Sequence, residues 1–348
     1  MKRYGNLFEK AFSEENMYQA YLDARRGKRG KRACFEFEKH LGDNLASLHN
    51  AIHTGTYAPS PYFQFVVYEP KRRIIHAPTF RDVVVQHAIY RIIYDIFDRS
   101  FMRDSFACRI GYGTHKAAAH AQKALRHYSG NDYYLKLDVR KFFYSIARNT
   151  LRKLIEKKIK DRRLVDIMMM FAEMEGAERG IPIGNLLSQI YALIFLNPID
   201  HFVKRVCKVK HYTRYVDDLV LVGLSRAECL QLRDALSGFL KNILSLDLSK
   251  VVVQKIRKGL NFCGYRMWRT KSFVRKHSIY KFRKSVRDEK RESIASLLGH
   301  AKRTLSLIYM LKSIKKENAH GKNIQIQKSY RRIYDTLFDG AGLQPVGA

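Results

Sequence analysis

Apolar and polar positions follow two patterns along this chain, and the patterns divide it into strands and helices. Runs of β-branched, aliphatic and aromatic residues around a short polar tip predict β-hairpins at 63–78 and 214–222. Apolar residues at helical spacing predict helices, one of them starting with the capping box Ser225-x-x-Glu228. The mixture predicts an α+β fold. Further strands are expected at 133–138, 250–255 and 261–268, and helices at 81–99, 117–128, 151–175, 190–202, 225–244 and 280–336.

The hairpin at 214–222 carries two adjacent acids, Asp217 and Asp218, between apolar strands. Burying even one unpaired carboxylate costs several kcal/mol, so a positive partner is expected there. Mg²⁺ is the natural candidate, because it takes carboxylate oxygens and completes its shell with waters and phosphates. The alternative is the acidic tip of a surface hairpin, since Asp is common in turns.

A third acid, Asp138, stands where the apolar strand beginning at Tyr133 stops. Strand ends are where open sheets commonly place functional groups. With Asp217 and Asp218 it could hold two Mg²⁺ ions about 3.5 to 4 Å apart, the standard device for in-line phosphoryl displacement. The aromatic pair Phe142-Phe143 would then lie beside the sugar of an incoming nucleotide, where a bulky ring can exclude a 2′-hydroxyl.

Charge is the strongest signal in the composition. The 348 residues carry 65 Lys and Arg against 32 Asp and Glu, a net charge of +33 that favours nucleic acid as the partner. With 46% hydrophobic residues the chain can build a core, and its length predicts two or three subdomains. No apolar run approaches a membrane span and no signal peptide is evident. Five scattered cysteines fit a reducing cytoplasm.

Several basic segments and residues could have a functional role or an ordinary structural one. Lys71, Arg72 and Arg73 form the tip of the first hairpin, either leaning over a triphosphate or making an ordinary charged turn. The connector 25–32 is either a solvated loop or a phosphate contact. His87 is expected to be a helix histidine and not a ligand. Lys250 is a candidate general acid for pyrophosphate.

The order of these motifs resembles that of reverse transcriptases. Asp138 with Phe143 five positions later, then Tyr215-Val216-Asp217-Asp218, then Phe262-Cys263-Gly264-Tyr265, look like the palm motifs. Lys71-Arg72-Arg73 with Pro78 looks like the fingers hairpin, and Gln86-His87-Ala88 like the helix that follows it. The likeness covers approximately residues 20 to 310.

The resemblance implies a right-hand polymerase fold with fingers, palm and helical thumb. The implied domains are an N-terminal helical extension at 1–60, fingers with the start of the palm at 61–132, the palm at 133–270 with fingers-side helices 151–180 inserted, a basic thumb at 271–340, and a flexible tail at 341–348. The implied metal site is Asp138, Val139, Asp217 and Asp218. The implied nucleotide site is Lys71, Arg72, Arg73, Phe143, Ile183, Gly184, Gln189 and Lys250, and the implied primer grip is Phe262, Cys263, Gly264 and Tyr265.

The segment from Ile183 to Gln189 suggests a subtype. Group II intron and retroviral relatives generally carry Pro-Gln-Gly here, whereas Ile-Gly-x-x-x-Ser-Gln resembles diversity-generating retroelement reverse transcriptases. That resemblance implies error-prone copying of template adenines for protein diversification, in a bacterial or phage-encoded cytoplasmic enzyme. An aliphatic Ile183 cannot make the polar contacts of a glutamine, so discrimination against mispairs should weaken; its alternative role is packing.

The same resemblance implies the cofactors and partners. They are two Mg²⁺ ions with Mn²⁺ able to replace them, dNTPs, a structured template RNA with its cDNA/RNA duplex, and a basic accessory oligomer; a membrane is not expected. An antiphage-defence reverse transcriptase of ordinary fidelity is an alternative with the same chemistry. A catalytically silent RNA-binding scaffold is an alternative from another class.

Overall fold

The computed structural model describes residues 2–68, 72–320, 324–326 and 330–331. Lys71 and the predicted tail at 341–348 lie outside the described residues. The helices are α1 Leu7–Ala11, α2 Glu14–Arg25, α3 Arg32–Lys39, α4 Leu41–His53, α5 Phe80–Asp98, α6 Thr114–Arg126, α7 Phe142–Ser145, α8 Arg148–Glu156, α9 Arg162–Met170, α10 Leu186–His201, α11 Arg226–Leu244, α12 Lys276–Arg287, α13 Arg291–Ala301 and α14 Ser306–Ala319. The strands are β1 Phe63–Val67, β2 Arg73–Ala77, β3 Tyr133–Val139, β4 His211–Tyr215, β5 Asp218–Leu224, β6 Leu248–Lys255, β7 Leu260–Phe262, β8 Tyr265–Met267 and β9 Ser272–Val274.

The chain folds into two compact units, and the predicted α+β class is confirmed in both. The first unit comprises Met1–Gly113 and Tyr134–Val253, and the second comprises Thr114–Tyr133 and Gln254–Ala348. The predicted palm and thumb boundary at 270 stays a prediction; the two compact units divide 17 residues earlier, after Val253.

A four-stranded sheet in the order β4-β5-β3-β6 carries the acidic residues. Strands β4 and β5 pair antiparallel up to Tyr215 and Asp218, so Val216 and Asp217 form the turn between them. Leu219, Val220 and Leu221 are fully buried, as the apolar pattern requires. Because β3 lies next to β5, the acid of the strand at 133–139 comes beside the acids of the hairpin.

The central helix of the first unit is α10, which packs against α5, α8 and α11. Together with the short π-helix Phe202–Val206 that follows it, α10 is long and apolar enough to cross a membrane, with a mean hydropathy of 1.3 over 18 residues. The expectation that no run approaches that length was therefore wrong. About two thirds of this segment, 67%, is nevertheless buried within the protein, as expected of a core helix.

Two predicted helices differ from the structure. The stretch 151–175 forms two helices, α8 and α9, because the segment between them bonds to the N-terminus: the Tyr4 N–H donates to the Lys158 carbonyl at 2.7 Å. Asp161 then accepts from the first amides of α1. Helix α10 begins at Leu186, four residues before the predicted start, because the Asn185 side chain caps its first amides.

The second unit combines a small antiparallel sheet in the order β7-β8-β9 with the helices α12, α13 and α14. Phe262 pairs with Tyr265, so Cys263 and Gly264 make a two-residue turn, and both have positive φ, 48° and 85°. Such a pair of angles is typical of a tight hairpin. A Cβ on Gly264 would lie 2.9 Å from the His300 ring, which also requires glycine there.

Candidate active site

Asp138 and Asp217 come together where β3 passes the turn between β4 and β5. The Val139 N–H donates to the Asp217 carbonyl at 3.3 Å, which joins the two backbone segments directly. On β6, the Ser249 hydroxyl donates to the Asp138 carboxylate and to its backbone carbonyl. The two predicted acids therefore form a pair whose backbones are fixed by hydrogen bonds.

The Asp217 carboxyl lies in an environment that disfavours its charge. Its pKa is raised to about 6, mainly by burial and also by the nearby charges of Asp138 and Asp218, while a backbone hydrogen bond and Arg73 act in the opposite direction. A buried carboxylate beside others of the same sign is stabilised by a cation. Asp138 and Asp217 supply the hard oxygen donors that Mg²⁺ prefers, so this pair fits a divalent cation.

Asp218 has a different partner, Lys136. The Lys136 ammonium lies 2.9 Å from one Asp218 carboxylate oxygen and 3.0 Å from the other, and both side chains are largely buried. Among the described residues, no three His, Cys, Asp or Glu side chains form a metal-binding group. That three carboxylates converge on the cations stays a prediction: Asp138 and Asp218 both lie close enough to act on the charge of Asp217, and Lys136 pairs with Asp218.

A fully buried ion pair supports the turn that carries these acids. Arg214 donates to both carboxylate oxygens of Asp200, at 2.7 and 2.5 Å, and neither side chain is exposed. The Tyr212 hydroxyl donates to the same carboxylate at 2.7 Å. A further Arg214 donor reaches the Val216 carbonyl at 2.9 Å. Arg214 thus connects the core helix to the residue immediately before Asp217.

Val216 itself has a strained backbone. Its φ is 52°, in the left-handed region that β-branched residues rarely adopt. Such strain costs roughly 1–3 kcal/mol and persists only where surrounding contacts enforce it. The hydrogen bond from Arg214 to the Val216 carbonyl is one such contact, so the turn is held in a conformation that its own sequence disfavours.

The predicted nucleotide-binding residues of the first unit lie on one connected framework. The Ile181 N–H donates to the Phe143 carbonyl at 2.9 Å, and the His76 N–H on β2 donates to the Ile183 carbonyl at 2.7 Å. Gly184 has a φ of 114°, and a Cβ there would lie 2.7 Å from Ile75. The loop therefore connects the Phe143 turn to the hairpin bearing the exposed Arg72 and Arg73.

Within this framework the side chains are placed differently. Ile183 and Phe143 are half-buried, whereas Gln189 is exposed on the first turn of α10. Arg73 acts electrostatically on Asp217, which supports its predicted position near the acids. Lys250 is exposed, and it follows Ser249 on β6. Because successive strand side chains point to opposite faces, Lys250 points away from the face on which Ser249 reaches Asp138. The geometry thus gives no support to Lys250 as the general acid.

The predicted primer grip lies in the second unit. Phe262 and Tyr265 are buried, and Cys263 and Gly264 form the half-exposed tip of the turn. The Tyr265 hydroxyl lies 3.1 Å from His115 Nδ1 and 3.0 Å from His300 Nδ1, and it donates to the His300 carbonyl at 2.9 Å. Burial raises the pKa of Tyr265 to about 12, so this hydroxyl keeps its proton. Of these four residues, Cys263 and Gly264 are accessible to a ligand, whereas Phe262 and Tyr265 are not.

Several positioning residues were missed from the sequence, although each left a signal. Lys136 is a lone cation in an apolar strand, two positions before Asp138 and therefore on the same face. Asp200 is a lone acid in the apolar helix α10, which predicts a buried cationic partner such as Arg214. Gln86 accepts from the Leu186 N–H at 3.0 Å and fixes the start of α10.

Comparison with known proteins shows which family this chain is similar to. A model of the reverse transcriptase (RNA-dependent DNA polymerase) family matches residues 69–267, more than half of the chain and including Asp138, Asp217 and Asp218. The group II intron-encoded protein LtrA of Lactococcus lactis subsp. cremoris is 23% identical over 298 residues, covering 64% of this chain and 49% of that protein. Protein YkfC of Escherichia coli strain K12 is 24% identical over 288 residues, covering 68% of this chain and 74% of that protein.

Among solved structures, telomerase from Candida albicans in complex with a TWJ fragment of telomeric RNA is similar, with a TM-score of 0.48 and 13% identity. It covers 79% of this chain and 59% of the telomerase chain. This chain spans about half the length of LtrA. LtrA is a group II intron-encoded protein, and no relative named here is of the diversity-generating type, so that subtype stays a prediction. The chain belongs to the reverse transcriptase (RNA-dependent DNA polymerase) family.

Proposed function

We propose that this protein is an RNA-directed DNA polymerase that makes cDNA from dNTPs. The observation that carries the proposal is the Asp138 and Asp217 pair, which lies inside the region matched by the family model and beside the cationic Arg73. Two half-buried carboxylates held side by side without a cation would be costly in a protein that did not use them. Their presence therefore favours the enzyme over a silent RNA-binding scaffold.

In this proposal Asp138 and Asp217 hold Mg²⁺, or Mn²⁺ in its place, at the turn between β4 and β5. The cation would supply charge stabilisation at the reacting phosphate. Arg73 and Arg72, exposed on the hairpin, bind the triphosphate through charge-assisted hydrogen bonds. Phe143 selects the deoxyribose sugar, and Lys136 keeps the third acid neutralised and in place.

Primer extension tests this proposal. Purified protein with Mg²⁺, an RNA template, a DNA primer and dNTPs should extend the primer. Asp217→Asn should lower the rate by at least about 100-fold, since a metal ligand contributes several kcal/mol. Asp234→Asn is the matched control, an exposed Asp on α11 that should leave the rate unchanged. Extension that survived Asp217→Asn would refute the assigned site.

The mutagenic subtype is a second proposal, carried by the Ile183 segment. The backbone of this loop is held from both sides, by the His76 N–H at the Ile183 carbonyl and by the Ile181 N–H at the Phe143 carbonyl. A change of side chain at 183 should therefore alter contacts to nucleotide or template without moving the loop. Aliphatic Ile183 offers no hydrogen bond, which weakens discrimination against mispairs.

Error spectra test this second proposal. On a template of mixed bases, errors should concentrate at adenines, and Ile183→Gln should lower them. Ile183→Val is the matched control, because it keeps an aliphatic side chain and should keep the error pattern. Errors spread evenly over the four bases would favour the antiphage-defence alternative. A permanent RNA companion and a basic accessory oligomer belong to the same proposal and would be sought by purification with native RNA.

A further inference from the structure

The second unit contains an open groove that the proposed chemistry does not use. It lies between the start of α12, strand β9 and the start of α14, and it has a volume of about 560 Å³. Such a volume suits a small organic group. The lining residues that matter below are Phe273, Lys276, Tyr280, Arg283, Leu305 and Tyr309.

Flat and apolar groups are unusually exposed in this groove. Tyr280 is 63% exposed, Leu305 50% and Tyr309 38%. Arg283 donates to the Tyr309 hydroxyl at 2.7 Å, and its guanidinium lies 5.3 Å from the centre of the Tyr309 ring. This contact connects α12 to α14 and restrains the Tyr309 ring before any ligand arrives. Exposed aromatic surface that is held in place favours a partner with flat groups of its own.

The surroundings of the groove are strongly basic. Residues 270–319 contain fourteen Lys and Arg against four Asp and Glu, and Lys276 and Arg283 line the groove itself. Cations interleaved with aromatic rings are the usual composition of surfaces that bind single-stranded nucleic acid, where bases stack on rings and phosphates meet cations. A duplex buries its base faces and would leave the rings unused.

We infer that this groove binds an unpaired base of a single-stranded RNA segment, stacked on Tyr280 and Tyr309, with the neighbouring phosphates at Lys276 and Arg283. The inference rests on the proposed function for the presence of RNA. It deepens that function by assigning the second unit a site for unpaired RNA, in addition to the shape and phosphate contacts expected from its helices. An acidic peptide with aromatic side chains is the competing occupant.

Two fluorescent RNA hairpins test the inference with the full chain. One has a blunt end, and the other carries an unpaired tail of about eight nucleotides containing 2-aminopurine, within the usual range for such sites. Tyr280→Ala should weaken binding of the tailed hairpin by about 5- to 150-fold, the loss expected for one stacked base. Binding of the blunt hairpin should change little. The 2-aminopurine emission should fall on binding to wild type and stay high with Tyr280→Ala.

Matched variants separate stacking from charge and from misfolding. Tyr18→Ala removes an exposed tyrosine of α2, outside the groove, and should leave both affinities unchanged. Lys276→Gln should weaken binding of the tailed hairpin more than that of the blunt one and reduce the salt dependence of tail binding. Equal losses on the two hairpins with Tyr280→Ala would overturn the inference in favour of duplex binding. No loss on either would overturn it in favour of a protein occupant.

The failure of this inference is distinguishable from failure of the proposed function. Hairpin binding is measured without dNTPs, and primer extension is measured in parallel. Asp217→Asn should abolish extension and keep the preference for the tailed hairpin. Extension without tail-dependent binding would reject the groove alone, whereas tail-dependent binding without extension would reject the polymerase alone.

Discussion

Replacing Arg214 by methionine would leave a carboxylate without its partner in the core of the first unit. Arg214 and Asp200 are both fully buried and share two hydrogen bonds. Removing one member of such a pair costs about 3–5 kcal/mol, because the remaining charge stays desolvated. Loss of the hydrogen bond to the Val216 carbonyl adds about 1 kcal/mol. We therefore expect Arg214→Met to destabilise the protein by about 4–6 kcal/mol.

Urea unfolding of the purified protein measures this loss. Arg233→Met is the matched control, since Arg233 pairs with Asp234 on the exposed surface of α11 and should leave the midpoint close to that of wild type. Adding Asp200→Leu to Arg214→Met should recover part of the stability, because it removes the unpaired charge. Recovery should be incomplete, since the Tyr212 hydroxyl then loses its acceptor. Equal midpoints for Arg214→Met and Arg233→Met would refute the reasoning.

The conservative variant Arg214→Lys distinguishes positioning from general stability. A lysine keeps the charge, but its single ammonium cannot serve both Asp200 oxygens and the Val216 carbonyl at once. We expect the maximal rate of primer extension to fall at least about tenfold while the KM for dNTP changes little, because the turn bearing Asp217 loses its support. A variant with wild-type kinetics at reduced stability would make Arg214 purely structural.

Other predictions concern the remaining polar and glycine positions. In the absence of metal ions, Lys136→Met should destabilise the protein by about 1–3 kcal/mol, since Asp218 loses its partner. Millimolar Mg²⁺ should then raise the melting temperature of this variant more than that of wild type. An equal response of the two proteins to Mg²⁺ would contradict this prediction. Burial lowers the pKa of His87 to about 4, so the unfolded chain binds its proton first as the pH falls. The contribution of His87 to the free energy of unfolding should be full above pH 6.5 and should fall by up to about 3 kcal/mol towards pH 4. The urea midpoint of His87→Gln should therefore decrease less between pH 6.5 and pH 4 than that of wild type. Gly184→Ala should destabilise the fold because of its φ of 114° and a contact of 2.7 Å, whereas Gly238→Ala in the open interior of α11 should stabilise it by about 1 kcal/mol in thermal unfolding. Equal effects of the two alanines would contradict the geometry of the loop.

Local patterns in the sequence were sufficient to predict many of the helices and turns. The capping box at Ser225 begins its helix as expected, because this signal acts within one turn. The hairpin turn at Asp217 was predictable for the same reason. The start of α10 did not follow from its apolar pattern: the adjacent cap Asn185 begins the helix four residues earlier, and Gln86, distant in the chain, accepts from the Leu186 N–H.

The acidic residues of the candidate site could be predicted from the sequence, whereas the residues that pair with them could not. Asp138 and Asp217 are identified by strand ends and turns, which are local features. The pairing of Asp218 with Lys136 depends on β5 lying beside β3, an order of strands that the sequence does not reveal. The pairing of Asp200 on α10 with Arg214 on β4 likewise depends on which elements are neighbours in the fold. Such pairs between distant residues could not be predicted from local patterns.

The most direct test is single-nucleotide incorporation on an RNA template, comparing Asp138→Asn and Asp217→Asn with wild type at saturating dNTP and Mg²⁺. Both substitutions should lower the rate at least about 100-fold while the protein still binds the primer and template. Folding is checked by the urea midpoint, which should not fall for Asp217→Asn, because its charge is disfavoured by burial. Incorporation at the wild-type rate by either folded variant would contradict the assignment of this pair as the catalytic centre.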